Sequence, residues 1–201
     1  MLVVVSAPSG AGKTSLCREI RKLVANVGYS VSHTTRAPRP GEVEDRDFHF
    51  VTETVFHRMV ERNEFAEWAR VHGNLYGTAA RTLEDALERG EDVLLDIDTQ
   101  GARQLRARYP HALFVFVVAP SMKELELRLL ERKSDAPQEI ARRLRRAVEE
   151  IAAWREYHYL IVNRHLDEAV RQLACIIEAE RTRTSRLELS LPDLDLSTDT
   201  T

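Results

Sequence analysis

The chain has 201 residues, 43% hydrophobic and 30% charged, a balance that suits one compact globular unit and excludes a disordered, collagenous or fibrous chain. Its net charge of -3 gives no global attraction to nucleic acid or an anionic membrane, so neither is an expected partner. No apolar run reaches the roughly 20 residues of a membrane helix, and the only two cysteines, Cys17 and Cys175, lie too far apart for a metal motif, which suits a cytoplasmic protein without structural metal.

Short apolar runs at residues 2–5, 93–97, 113–118 and 159–162 read as strands buried on both faces, as in a parallel sheet. Leu16, Ile20, Leu23 and Val24 follow the first run as the stripe of an amphipathic helix, with Cys17 among them as a small buried hydrophobe. Residues 32–80 break the strand and helix rhythm. Pro38, Pro40 and Gly41 punctuate them, and the alternation around Phe48, Phe50 and Val51 predicts a strand with one polar face, so this stretch reads as an inserted subdomain.

Leu83, Ala86 and Leu87 mark a helix that ends at Gly90. Ser121 and Glu124 stand at capping-box spacing before the stripe Met122, Leu125 and Leu129. A further helix runs over about 138–154 with the stripe Ile140, Leu144, Ala147 and Ile151. Strands alternating with helices predict an α/β fold. The last residues, 187–201, alternate leucine with polar residues and read as a frayed tail.

The first strand runs into Ala7-Pro8-Ser9-Gly10-Ala11-Gly12-Lys13-Thr14, with Ser15 opening the helix behind it. Strand, glycine-containing loop, Gly-Lys-Thr and helix form the context of a nucleotide phosphate loop. The glycines let backbone N–H groups close around phosphate oxygens, the helix N-terminus adds positive potential, and Lys13 reaches the β and γ groups. Thr14 is the expected Mg2+ ligand through its hydroxyl. Ala7 stands where the motif has its first glycine. Asp96 ends the run Val93-Leu94-Leu95, where a strand end aims a carboxylate at the magnesium region.

Between Ser32 and Glu42, Arg36 and Arg39 sit three apart on a proline-stiffened loop with hydroxyls nearby, a set that suits an anionic phosphate. Glu67, Tyr76 and Thr78 flank the turn Gly73-Asn74, and Asp98 follows Asp96 on the same strand face. With these motifs the chain resembles the guanylate kinases. The resemblance runs from the phosphate loop to about Arg183. It includes Asn63-Glu64-Phe65, Tyr76-Gly77-Thr78, Leu95-Asp96-Ile97-Asp98 with Gln100-Gly101, Arg132, Arg143-Leu144 and Ile161-Val162-Asn163.

The resemblance implies a P-loop kinase fold over residues 1–185. A parallel-sheet core comprises 1–31, 81–120 and 144–185, a GMP-binding subdomain comprises 32–80, and a mobile lid comprises 121–143, with a flexible tail at 186–201. It implies γ-phosphoryl transfer from ATP to GMP with Mg2+. Ser32, Arg36, Arg39 and Tyr76 would hold the GMP phosphate, Glu67, Thr78 and Asp98 would read guanine with Asp96 grouped beside them, and Asn163 would touch the ATP base. Carboxylate acceptors match the N1–H and 2-amino donors of guanine and would be left unpaired by adenine.

Lys13, Arg39, Arg132 and Arg143 are the expected charge stabilisers of the transferring phosphoryl group. Of Arg142, Arg143, Arg145 and Arg146, Arg143 lies closest to the inward stripe, and the others read as solvated. Two positions depart from the family pattern: Phe48 replaces a tyrosine and Arg164 follows Asn163 in place of an aspartate. The rival readings are a non-catalytic phosphoprotein-binding module and a sugar-phosphate kinase of the same fold. The residues leave open whether the protein is a monomer or a homo-oligomer.

Overall fold

The computed structural model describes residues 1–71, 73–131 and 137–187. Its main sheet is all parallel, in the order β2 (Val27–Tyr29), β7 (Asp92–Asp96), β1 (Leu2–Ser6), β8 (Leu113–Val118) and β9 (Tyr159–Val162). Helices on both faces bury β1 completely, which is why its sequence is an unbroken apolar run. The short edge strand β2 carries no such run, and the sequence reading lacks it. One face packs on α1 (Lys13–Leu23) and α7 (Leu166–Arg181), with Leu16, Ile20, Leu173 and Ile177 fully buried. The other packs on α3 (Ala80–Glu88) and α4 (Thr99–Arg108) through Leu83 and Leu105.

Leu23 departs from its predicted burial and is 58% exposed. Helix α1 ends there, and Val24, in extended geometry with its N–H bonded to the Ile20 carbonyl, takes the core position instead. Met122, at the start of α5 (Met122–Glu131), is also exposed, while Leu125 and Leu129 are buried. Ser121 caps α5 by accepting the Glu124 N–H at 3.1 Å. Glu124 directs its carboxylate to Arg128, so the predicted capping box acts from the serine side.

Residues between β2 and α3 build a second sheet, ordered β4 (His49–Phe50), β3 (His33–Thr34), β6 (Asn74–Ala79) and β5 (Phe65–Val71). Helix α2 (Glu53–Glu61) closes it, Phe56 stacking on Phe65 at 4.5 Å above Leu75. The outer edge of β5 is covered by α4: Gln104 Nε2 donates to the Trp68 carbonyl at 2.7 Å, and its Oε1 accepts the Trp68 N–H at 3.1 Å. This amide clamp ties the second sheet to α4, the helix that follows the C-terminal end of β7, and open α/β sheets place their ligands at such strand ends. Helix α6 (Pro137–Ala152) follows α5 in the chain and leads through a short turn to β9.

Candidate functional site

The loop between β1 and α1 owes its shape to two glycines, since Gly10 and Gly12 both have φ of 92°. Ala7 is buried and lies outside the left-handed region, which among the described non-glycine residues holds Asn26, Asp45 and Asn63. Alanine therefore replaces the motif's first glycine without conformational cost. Pro8 accepts the Ala11 N–H at 3.1 Å, and Ser9 and Ser15 are half-buried on either side of the loop's tip. Asn163, just past β9, is buried and donates its amide to the Ala11 carbonyl at 2.8 Å. A Cβ on Gly12 would collide with that amide. Asn163 therefore supports the loop backbone.

Lys13 lies 2.5 Å from Asp96 Oδ1 and donates to the Ile97 carbonyl at 2.8 Å. Burial pulls its pKa down, but the charge and hydrogen bond of Asp96 outweigh burial and hold the ammonium above its ordinary value. Burial raises the neighbouring Cys17 thiol well above its ordinary value, which keeps it an inert core group. Thr14, on the first turn of α1, is exposed.

A cavity of about 410 Å³ runs from this loop to the second sheet. Lys13, Thr14, Asp96 and Asp98 line it together with Ser32, Arg36, Arg39, Glu67 and Tyr76, so residues scattered over the first half of the chain meet around one space. Glu67 is 4% exposed and accepts the Thr78 hydroxyl at 2.6 Å. Burial, aided by the nearby Asp98 charge, pushes its carboxyl up to about 7 against the pull of the Thr78 bond. A Cβ on Gly101 would strike the Glu67 carboxylate, so the first turn of α4 needs glycine there. Asp98 caps that helix: Oδ1 accepts the Gly101 N–H and Oδ2 the Gln100 side-chain amide, both at 2.9 Å.

Across the cavity, Arg36 grips Glu42 with two hydrogen bonds of 3.0 and 2.9 Å and donates Nε to the Tyr76 hydroxyl at 3.2 Å. Glu42 also accepts the Arg39 N–H at 2.7 Å, which shapes the proline-bounded loop. Arg39 itself is exposed and makes no ion pair among the described residues. Phe48 stands at this end of the cavity, edge-on to Tyr76 at 5.9 Å, with the Arg36 guanidinium 5.2 Å from its ring centre.

On α6, Arg143 is half-buried with Nε 3.3 Å from Glu139 Oε1. Arg132 lies outside the described residues. Arg146, read from spacing as solvated, is instead half-buried, 3.1 Å from Glu150 and 3.8 Å from Asp98. It follows Arg143 at the i+3 position, so the two share a side of the helix. That spacing is the signal that could have found it.

The guanylate kinase family model matches residues 1–180 of this sequence. The chain belongs to the guanylate kinase family. It is 50% identical over 187 residues to the guanylate kinase of Geobacter sulfurreducens, spanning 93% of this chain and 92% of that protein. It is likewise 50% identical to the guanylate kinase of Syntrophotalea carbinolica, spanning all of this chain and 97% of that one. The crystal structure of guanylate kinase from Anaplasma phagocytophilum superposes with a TM-score of 0.79 at 34% identity, covering 92% of this chain and 88% of that one. At that identity and coverage the likeness extends through both sheets, and the α/β P-loop kinase architecture is that of the family.

Proposed function

We infer that this protein is an ATP:GMP phosphotransferase, moving the γ-phosphoryl group of ATP onto GMP and releasing ADP and GDP. One observation carries the reading: a phosphate loop with its lysine, an arginine–tyrosine pair and a buried carboxylate beside Asp98 all line one cavity. Residues 32–80 act as the GMP-binding subdomain, 121–143 as the lid, and 1–31, 81–120 and 144–185 as the core; of the expected tail, Arg186 is bonded to Glu180 at 2.9 Å, and residues 188–201 lie outside the described residues.

The acceptor oxygen belongs to a phosphate monoester, whose second pKa of about 6 leaves it largely ionised at neutral pH. No general base is needed, and the task is to hold two anions together and stabilise charge on the transferring group. Backbone N–H groups of residues 9–14, at the loop and the start of α1, hold the ATP phosphates, with Ser15 beside them. Lys13 exchanges Asp96 for the β and γ phosphates. Ser32, Arg36, Arg39 and Tyr76 anchor the GMP phosphate, and Glu67, Thr78 and Asp98 accept the guanine donors, which adenine cannot match. Asp96 stays with this group as the partner that keeps Lys13 charged and placed.

Arg39, Arg132 and Arg143 join Lys13 in charge stabilisation when the lid closes. Thr14 offers an exposed hydroxyl beside Lys13, a hard oxygen that fits Mg2+. Thr14 would hold Mg2+ there, and the ion would supply neutralisation of phosphate charge. Two free thiols suit a reducing cytoplasm, and no described helix is long and apolar enough to cross a membrane. Lys13, Thr14 and Arg143 argue against a non-catalytic phosphoprotein module, and the buried Glu67 argues against a sugar-phosphate acceptor. A coupled assay of ATP-to-ADP conversion across GMP, AMP, CMP and UMP tests the reading: GMP is the preferred acceptor, and faster turnover of AMP would overturn it.

A further inference from the structure

Glu67 and Asp98 form the carboxylate end of the cavity, where burial first and the Asp98 charge second push Glu67 toward its protonated form. Lys13 is committed to Asp96 at 2.5 Å and to the Ile97 carbonyl. From the other side Arg146 of α6 reaches toward Asp98, its Nη2 lying 3.8 Å from Asp98 Oδ2. Its Nε donates to Glu150 Oε1 at 3.1 Å, one turn farther along the same helix. Both acids are only 15% exposed and the arginine 29%, so the group is set into the protein.

We propose that Arg146, braced by Glu150, is a positioning residue of the base pocket that holds the Asp98 carboxylate in its acceptor orientation. Asp98 has two oxygens and three neighbours. Oδ1 is fixed by the Gly101 N–H, and Oδ2 by Gln100, an exposed side chain. Arg146 adds a positive charge on the Oδ2 side at ion-pair distance, and its planar fork lets one guanidinium hydrogen-bond Glu150 while facing Asp98, which a lysine ammonium does with less directional control. Glu150 in turn removes the rotamer freedom that Arg146 would have as a surface side chain. The arrangement ties α6, the helix that carries Arg143, to the residue that faces the base.

The proposal rests on GMP being the acceptor, so the test begins with wild-type protein and then compares Arg146→Met, Arg146→Lys and Glu150→Gln by steady-state kinetics and thermal melting. The methionine keeps the apolar stem and removes the charge. Because the pair is partly exposed, Arg146→Met is expected to raise the KM for GMP roughly three- to fivefold with the KM for ATP unchanged. Arg146→Lys should recover part of that loss, and Glu150→Gln should show a smaller rise in the same direction. An unchanged KM for GMP in a folded Arg146→Met protein overturns the proposal. Equal rises for both nucleotides with a lowered melting temperature overturn it too, since they mark a packing role. Wild-type protein that does not phosphorylate GMP overturns the underlying reading, an outcome visible before any variant is compared.

Discussion

The Lys13 ammonium and the Asp96 carboxylate meet at 2.5 Å, across the gap between the phosphate loop and the end of β7. The pair keeps the lysine charged and pointed along the strand ends before any nucleotide arrives. ATP phosphates must draw it away from Asp96, so its full effect falls on the charge that builds during transfer. Lys13→Ala is expected to lower kcat by about a hundredfold or more, the cost of removing one preorganised charge stabiliser. Arg143→Ala should act in the same sense. Steady-state kinetics decide, and a change confined to KM would make these groups uniform binders.

Glu67 sets a pH dependence. Its carboxyl is raised from an ordinary 4.5 to about 7, so between those values the folded protein holds a proton that the unfolded chain has lost. Stability is therefore expected to fall as pH rises through that window, and Glu67→Gln should flatten the slope. Guanine donors need the ionised form, so kcat/KM for GMP should climb as pH passes about 7, with that limb missing in Glu67→Gln. At pH 8 the glutamine variant should lose roughly tenfold or more in kcat/KM for GMP, the equivalent of about 1.5 to 3 kcal/mol for a charge-assisted bond, with the KM for ATP little changed.

Gly101→Ala tests the packing of that carboxylate. A methyl group there strikes Glu67, which Thr78 holds in place, so the acid must leave its bond or α4 must shift. Overpacking of this kind costs about 1–3 kcal/mol, partly offset by the better helix propensity of alanine. The expected outcome is a raised KM for GMP with a modest drop in melting temperature. An unchanged KM would mean that Glu67 is not needed where it stands.

Phe48→Tyr adds a donor at the phosphate end of the cavity. The ring already lies edge-on to Tyr76 and beside Arg36. A hydrogen bond to a charged phosphate contributes about 1.5 to 3 kcal/mol, and loss of an ordered water reduces the gain. The KM for GMP should fall several-fold with kcat nearly constant, because the acceptor phosphate is held before and during transfer alike. A KM that stays level or rises would show that the new hydroxyl does not reach the phosphate.

Much of this protein is legible in its residues because the signals are local. The apolar runs mark β1, β7 and β8 because strands buried on both faces favour them, whereas β9, read the same way, is an edge strand with Leu160 and Val162 exposed and only Ile161 buried; Gly-Lys-Thr behind a strand marks the phosphate loop because its backbone needs the glycine. The two-residue strands β3 and β4 carry no such pattern; they exist because partners from distant sequence complete them. Leu23 follows the helical stripe and is still exposed, since periodicity does not say where a helix outruns its core.

By itself, the sequence determined the α/β class, the phosphate loop and the chemistry that each polar side chain can offer, because these follow from local geometry and residue type. Only the tertiary structure decided which groups share a charge environment. Burial beside Asp98 made Glu67 a carboxyl of pKa about 7, the approach of α6 turned Arg146 from a solvated charge into a neighbour of Asp98, and β9 delivered Asn163 to the loop carbonyl of Ala11. Each depends on dielectric and distance between residues far apart in the chain, quantities that come into being only when the sheets and helices pack.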